Sequence, residues 1–171
     1  MYAVNDTVLY GRNGVCRIVE VVQRNLGKEK KQYYMMHPVF KEDLTLYAPV
    51  GNEEKLGMRK VLTEEEVRAL ISEMPAAEEE WVDDTRRRKE LFDEVMGSGD
   101  RRRMIRMIRT LHNRQEQLAR HGKQLGSKDV QYFKDAQKRI HDEFALVLHI
   151  QPEQVLPMIL RTLGEAESDI A

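Results

Sequence analysis

The sequence predicts an α+β protein in which a small N-terminal β-barrel of the SH3 or Tudor type precedes an all-α helical bundle. Two observations carry this. The first fifty residues break into short runs rich in β-branched and aromatic side chains, divided by turn-forming residues. From about residue 61 onward the apolar positions recur every three or four residues, the period of an amphipathic helix. The chain of 171 residues has room for one medium domain or two small ones. The expected division is a strand module at 1–60, a connecting helix and linker at 61–80, and a helical domain at 81–171.

The strand candidates are "TVLY", "GVCRIVEVVQ", "QYYMMH" and "LTLYAPV", separated by "GRNG", "LGKEK" and "KED". Four or five strands are too few for a sandwich and suit a small, strongly bent barrel. Pro49 ends the last clear strand, since proline has no N–H to give to a ladder. The stretch "GNEEKLGMRKVLTEEEVRALISEMP" then crosses into helix. Thr63 and Glu66 have the spacing of a capping box, Val67, Leu70 and Ile71 form a helical stripe, and Pro75 stops it.

Four further helices follow. Leu91, Phe92, Val95 and Met96 are the apolar face of the first, with Gly97 as its C-cap. Ser98 or Asp100 caps the next, whose apolar positions are Met104, Ile105, Ile108, Leu111 and Leu118. Ser127 or Asp129 caps a third, striped by Phe133, Ala136, Ile140, Phe144 and Val147. The last carries Pro152 in its first turn, where a missing N–H costs nothing. Pro157 either kinks it or marks its true start.

Composition excludes several classes. Hydrophobic residues make up 41% and charged residues 33%, so a core is possible under a very polar surface. A net charge of −1 argues against a simple polybasic nucleic-acid binder. The single cysteine, Cys16, allows no internal disulfide framework and suits a reducing compartment. The opening "MYAVNDTVLYGRNG" has no apolar run of the signal-peptide kind, and no stretch approaches the roughly 20 apolar residues of a membrane span. A cytoplasmic protein without a membrane partner is expected.

The chemistry of catalysis is not visible. His37, His112, His121, His141 and His149 lack metal-ligand spacing, and one cysteine builds no zinc site. The two acids of "HDEF" fan over different faces of a helix. "GRNG" is a hairpin turn rather than a phosphate loop, and "GSGD" lacks the preceding strand of a nucleophile elbow. No enzyme, metal or cofactor is expected.

Charge, however, is segregated. Glu78, Glu79, Glu80, Asp83 and Asp84 fall within 78–84 with no base. Residues 101–123 carry eight bases, including Arg101, Arg103, Arg114, Arg120 and Lys123, against the single acid Glu116. Arg102, Arg106 and Arg109 share one helical face, and Arg86, Arg87, Arg88 and Lys89 open the preceding helix. Arginine forks suit phosphates, but a charge run is equally a solvated face balanced by acids from elsewhere. The lone tryptophan, Trp81, sits where the acids give way to the bases. On a continuous helix it falls over Phe92, yet Asp84, Thr85 and Arg88 between them are polar. Pattern alone leaves it either a core anchor or an exposed aromatic.

"VNDTVLYGRNGVCRIVEV", "QYYMMHP", "LTLYAPV" and "LGMRKVL", followed by Trp81, the "SGD" at 98–100 and "DEFALVL", together resemble the CarD family of bacterial transcription regulators. The N-terminal module of that family also occurs in transcription-repair coupling factor. The resemblance implies a Tudor-like domain that binds the RNA polymerase β subunit by strand pairing. It implies a helical domain that contacts promoter DNA, without reading sequence, near the upstream edge of the melted bubble, and so modulates open-complex stability. Trp81 then corresponds to a wedge at the minor groove. The implied DNA-contacting residues are Trp81, Arg86, Arg87, Arg88, Lys89, Arg102, Arg106 and Arg109. The implied polymerase-contacting residues are Arg24, Thr45, Leu46 and Tyr47. The implied protein is a monomer, associated with the nucleoid through polymerase.

Two departures stand out. Some members have bases directly after the tryptophan, whereas here Asp83 and Asp84 come first and the bases begin at Arg86, which moves the positive charge on by about one turn. Tyr47 stands where some members have an arginine facing polymerase, whereas Arg24 matches another such basic position. An adaptor whose helical domain docks a protein and never touches DNA is the alternative, favoured by the acids around Trp81.

Overall fold

A computed structural model of the chain describes residues 1–41, 43–76 and 81–163. Glu78, Glu79 and Glu80 of the acidic run lie outside the described residues. The chain divides into two units, Met1–Val61 and Leu62–Ala171.

The first unit is a five-stranded antiparallel sheet of order β4-β3-β2-β1-β5. Its strands are β1 (Thr7–Tyr10), β2 (Val15–Leu26), β3 (Glu29–Pro38), β4 (Leu46–Pro49) and β5 (Met58–Lys60). β2 and β3 form a long hairpin that pairs from Cys16↔Pro38 to Leu26↔Glu29. Gly27 closes it with φ of 67°, a left-handed conformation that the first position of a two-residue hairpin turn requires. The "LGKEK" turn expected from sequence is thus shorter, and both strands run further.

One irregularity in β2 decides which side chains enter the core. Cys16 and Ile18 point inward; a shift in register between Ile18 and Glu20 then inserts one residue. That bulge reverses the alternation, so Val21 rather than Glu20 packs on the core. The core is Val8, Cys16, Ile18, Tyr34, Met36, Ala48 and Met58. Burial pushes the Cys16 thiol up to about 12, so it stays protonated and inert. Buried Tyr34 keeps its hydroxyl satisfied by donating to Glu53 Oε1 at 2.7 Å and accepting from the Tyr2 N–H at 3.1 Å.

The barrel expected from sequence differs from the observed pairing. The sheet order ends on β4 and β5, and no pairing between these two closes it among the described residues. In the sequence, β5 reads as part of the passage into helix. Its three residues are too few to show a period, and only pairing with β1 (Val8↔Lys60 to Tyr10↔Met58) reveals it.

The second unit contains α1 (Glu64–Glu73), α2 (Thr85–Ser98), α3 (Arg101–Arg120), α4 (Ser127–Leu148) and α5 (Pro152–Leu163). The Thr63–Glu66 capping box is present in both directions, 3.2 Å and 2.8 Å. α1 packs against α4 and α5 and so belongs to this unit rather than to a connector. Two caps differ from expectation. Gly97 lies inside α2, and Gly99, with φ of 68°, is the C-cap, which places the left-handed residue where glycine tolerates it. Gly126, not Ser127 or Asp129, is the N-cap of α4, with no side-chain cap bond. Asp100 caps α3 as expected, accepting from the Arg103 N–H.

The bundle is lined by Phe92, Val95, Met96, Met104, Ile108, Leu111, Ala136, Ile140, Phe144, Val155 and Ile159, all buried. Phe92 meets Tyr132 edge-to-face at 5.3 Å. Within this apolar interior sits Glu143, 1% exposed. Arg101 grips it with two bonds, of 2.9 and 2.7 Å, and the Leu62 N–H donates to it at 3.0 Å. A buried carboxylate is tolerable only with such partners. Glu143 therefore ties α4 to the start of α3 and to the residue before the N-cap of α1.

Two outcomes follow. Glu143→Ala removes the buried carboxylate that Arg101 and the Leu62 N–H both bond, and lowers stability by roughly 3–5 kcal/mol in urea denaturation; a loss under about 1 kcal/mol would contradict the clamp. His141, in α4, has its pKa held below the usual histidine value, chiefly by burial and despite the nearby Asp142 carboxylate. The folded state then binds the proton less readily than the unfolded chain. Stability should fall as pH drops below about 6.5, the ordinary histidine value, and His141→Gln should flatten that decline in a pH series of melting curves.

Candidate functional site

Cross-strand partners in an antiparallel sheet share a face. The face of the first unit opposite its core is therefore given by Val22↔Tyr33, Glu20↔Met35 and Arg24↔Lys31 on β2 and β3, continued by Met35↔Tyr47 and Tyr33↔Pro49 on β4. Val22, Tyr33, Met35 and Pro49 are half-buried there, and Tyr47 is 36% exposed. The Arg24 guanidinium lies over the Tyr47 ring, 3.9 Å from its centre. Arg24 on β2 and Tyr47 on β4, two residues that the resemblance implied separately as polymerase contacts, are thus one cation–π pair. The Thr45 hydroxyl is within hydrogen-bond distance of His37 Nε2, at 3.3 Å. Leu46 differs: paired with Met36, it turns inward and packs on the core, so only its backbone faces a partner. β4 has β3 on one side and, among the described residues, no strand on the other. Its free backbone groups can accept another strand.

In the second unit the question of Trp81 resolves differently from either sequence reading. Asp84 is the N-cap of α2 and accepts from the Arg87 N–H at 2.9 Å, so the helix begins after Trp81 and no helical stripe carries it. The acid that follows the tryptophan is thus spent on a helix N-terminus, where negative charge is favourable. Trp81 is half-buried in the segment before the cap. Arg88 lies 4.4 Å and Arg114 5.0 Å from its ring centre.

Arg88 is the organiser of this cluster. It is buried, and its fork bonds both oxygens of Asp129 on α4, each at 3.1 Å. Its remaining Nη1 donates to the carbonyls of Val82 and Asp83, at 2.9 and 3.2 Å. Arg88 thus packs inward, and its guanidinium is engaged by protein.

The other bases separate into three groups. Arg87, Lys89 and Arg106 are exposed, as is Arg86, which pairs with Glu90 one turn on at 3.4 Å. Arg102 is also exposed but bonds Glu73 through two nitrogens, at 2.9 and 3.1 Å, and these bonds hold the Glu73 carboxyl below the usual carboxylate range. Arg103 pairs with Glu94 at 3.2 Å. Arg109 is half-buried and lines a small cavity with Met74, Ile105, Ile108, Ile140, His141 and Ile159. Helical spacing did bring Arg102, Arg106 and Arg109 to one side of α3, but their environments differ.

Two members of the tryptophan cluster are not legible in the sequence. Its pattern shows Arg114 only as one base among those of its helix, and Asp129 only as a possible cap. Asp129 joins the cluster through its pairing with Arg88 across 41 positions, and Arg114 through its contact with the Trp81 ring from α3, and no local pattern contains either. Among the described residues no cluster of histidine, cysteine and acidic side chains could hold a metal ion, and no helix is long and apolar enough to cross a membrane.

The first unit is thus an open sheet with β4 and β5 at its edges and a partly apolar outer face that carries Arg24 over Tyr47, joined in sequence to a helical unit. Residues 2–62 match the family model of the CarD-like/TRCF RID domain. The first unit is therefore a domain of the CarD-like/TRCF RID type.

The cluster around Trp81 yields a stability prediction. Two cation–π contacts of about 0.5–1 kcal/mol each imply that Trp81→Ala costs about 1–2 kcal/mol, less than loss of a core tryptophan. Arg88→Ala strands Asp129 and two carbonyls, and should cost roughly 3–5 kcal/mol. Urea denaturation of the two variants decides the ranking, and a costlier Trp81 change would make the ring a core anchor after all.

Proposed function

We propose that the protein is a non-enzymatic regulator of transcription that binds the polymerase β subunit through β4 and contacts promoter DNA through its helical unit. The DNA site lies at the upstream edge of the melted bubble, with Trp81 at the minor groove, and its occupation modulates the lifetime of the open complex. The observation that carries the reading is the open edge of β4 beside the Arg24–Tyr47 pair, in residues that match the RID model. Strand addition along β4 supplies main-chain hydrogen bonds, and Arg24, Tyr47 and Thr45 flank them with specific contacts.

The DNA half is supported by a half-exposed indole outside any helix, with Arg86, Arg87, Lys89 and Arg106 at the surface of the same unit. An aromatic that meets a splayed base step, beside bases that meet phosphate, holds a distorted duplex without reading its sequence. The protein acts as a monomer and needs no cofactor or metal in this scheme. The pairing of Arg102 with Glu73 and of Arg103 with Glu94 favours a second reading, in which the helical unit docks a protein and leaves DNA alone.

Binding to forked promoter DNA over a range of salt, with and without polymerase, separates the two readings. Joint replacement of Arg86, Arg87 and Lys89 by Ala should lower the salt slope by about one unit for each phosphate that is no longer neutralised; an unaltered slope favours the protein-docking reading. Arg24→Glu reverses the charge stacked on Tyr47 and should weaken capture of polymerase by roughly tenfold, about 1.4 kcal/mol, with the circular dichroism spectrum retained. Undiminished capture would remove Arg24 from the polymerase-binding surface.

A further inference from the structure

The two arginines against Trp81 differ in how their donors are used. A guanidinium has five N–H groups to satisfy. Arg88 makes four bonds to protein, two of them to a carboxylate. Arg114, on α3, makes one hydrogen bond, from Nη1 to Gln117 Oε1 at 3.5 Å, beyond the usual range for such bonds. Its Nε is buried without a hydrogen-bond partner. No carboxylate of the described residues pairs with it, in contrast to Arg88, Arg101, Arg102 and Arg103. The protein therefore holds a half-buried cation against its lone tryptophan with most of its hydrogen-bonding capacity unused.

We propose that Arg114 is the anion-binding residue of the Trp81 site, its fork taking a DNA phosphodiester oxygen beside the base step that the indole meets. This rests on the reading of Trp81 as a DNA contact. Contact with the indole at 5.0 Å restrains the guanidinium and reduces the entropy lost on binding, so the fork meets phosphate partly pre-organised. Partial removal from water strengthens the attraction to an anion. Arg88 acts as a positioning residue: bound to Asp129 and to the carbonyls of Val82 and Asp83, it sets the segment from which the ring projects. The site thus has one arginine that builds it and one that binds.

The test uses the full-length protein with RNA polymerase and a forked promoter duplex, comparing Arg114→Gln, Arg114→Lys and Trp81→Ala by affinity over a range of salt. Arg114→Gln should weaken DNA binding by roughly tenfold at low salt and lower the salt slope by about one. Arg114→Lys should restore the slope, since the charge returns, but only part of the affinity, since the planar fork does not. A purely structural Arg114 would change melting temperature without changing the slope, and that result overturns the proposal. An Arg114→Gln variant that binds polymerase less well without DNA would make the ligand a carboxylate of the partner, which also overturns it. If Trp81→Ala weakens DNA binding while Arg114→Gln does not, Arg114 alone is misassigned. If Trp81→Ala has no effect on DNA binding, the underlying reading of the tryptophan fails and the proposal falls with it.

Discussion

The Trp81 region of the helical unit is organised around the burial of the Arg88 guanidinium. Arg88 cannot leave water without compensation, because an unpaired charge in a protein interior is far costlier than any packing gain from its aliphatic stem. Asp129 on α4 supplies the counter-charge and the carbonyls of Val82 and Asp83 take the remaining donor. Three separate stretches of chain are thereby held to one group: the segment before α2, α2 itself and the first turn of α4. Trp81 inherits its position from this arrangement. A tryptophan among charges is then no contradiction, since two guanidinium groups lie against its ring.

The same economy of charge runs through the rest of that unit. A sequence with eight bases between residues 101 and 123 suggests a strongly positive surface, yet several of these bases meet acids within the fold. Arg101 reaches buried Glu143, Arg102 reaches Glu73 and Arg103 reaches Glu94. These pairs serve different ends. The Arg101–Glu143 pair is buried and ties elements together, whereas the Arg102–Glu73 pair is exposed and contributes little to stability. The positive charge left at the surface is consequently sparser than the sequence implies, and it includes the start of α2.

In the first unit the corresponding constraint is the parity of a strand. A β-strand offers alternate residues to its two faces, and one inserted residue exchanges them. The bulge after Ile18 sends Val21 inward and leaves Val22 on the opposite face, beside Tyr33, Met35 and Tyr47. That face carries more apolar surface than solvent alone calls for, and the Arg24–Tyr47 pair stands at its margin. The edge strand β4 alternates in the same way: Leu46 and Ala48 seal the core while Tyr47 remains outside.

Local sequence determined what depends on local physics. The periods of two and of three to four residues marked strands before Pro49 and helices after Thr63. Capping chemistry placed the start of α1 and α3, and the stripes of Phe92, Met104, Ile140 and Phe144 named the helical core. The residues "VNDTVLYGRNGVCRIVEV" already carried the family of the first unit. Tertiary structure alone decided what depends on distant partners. β5 exists because β1 offers it an edge, and the sheet stays open because β4 and β5 do not pair. Arg88 is buried because Asp129 lies 41 positions away to receive it, and Arg102 is neutralised by an acid 29 positions back. An arginine is written identically whether it faces water, a carboxylate or an indole. Which of these it meets is fixed by the packing of helices, and that packing sums interactions that no window of sequence contains.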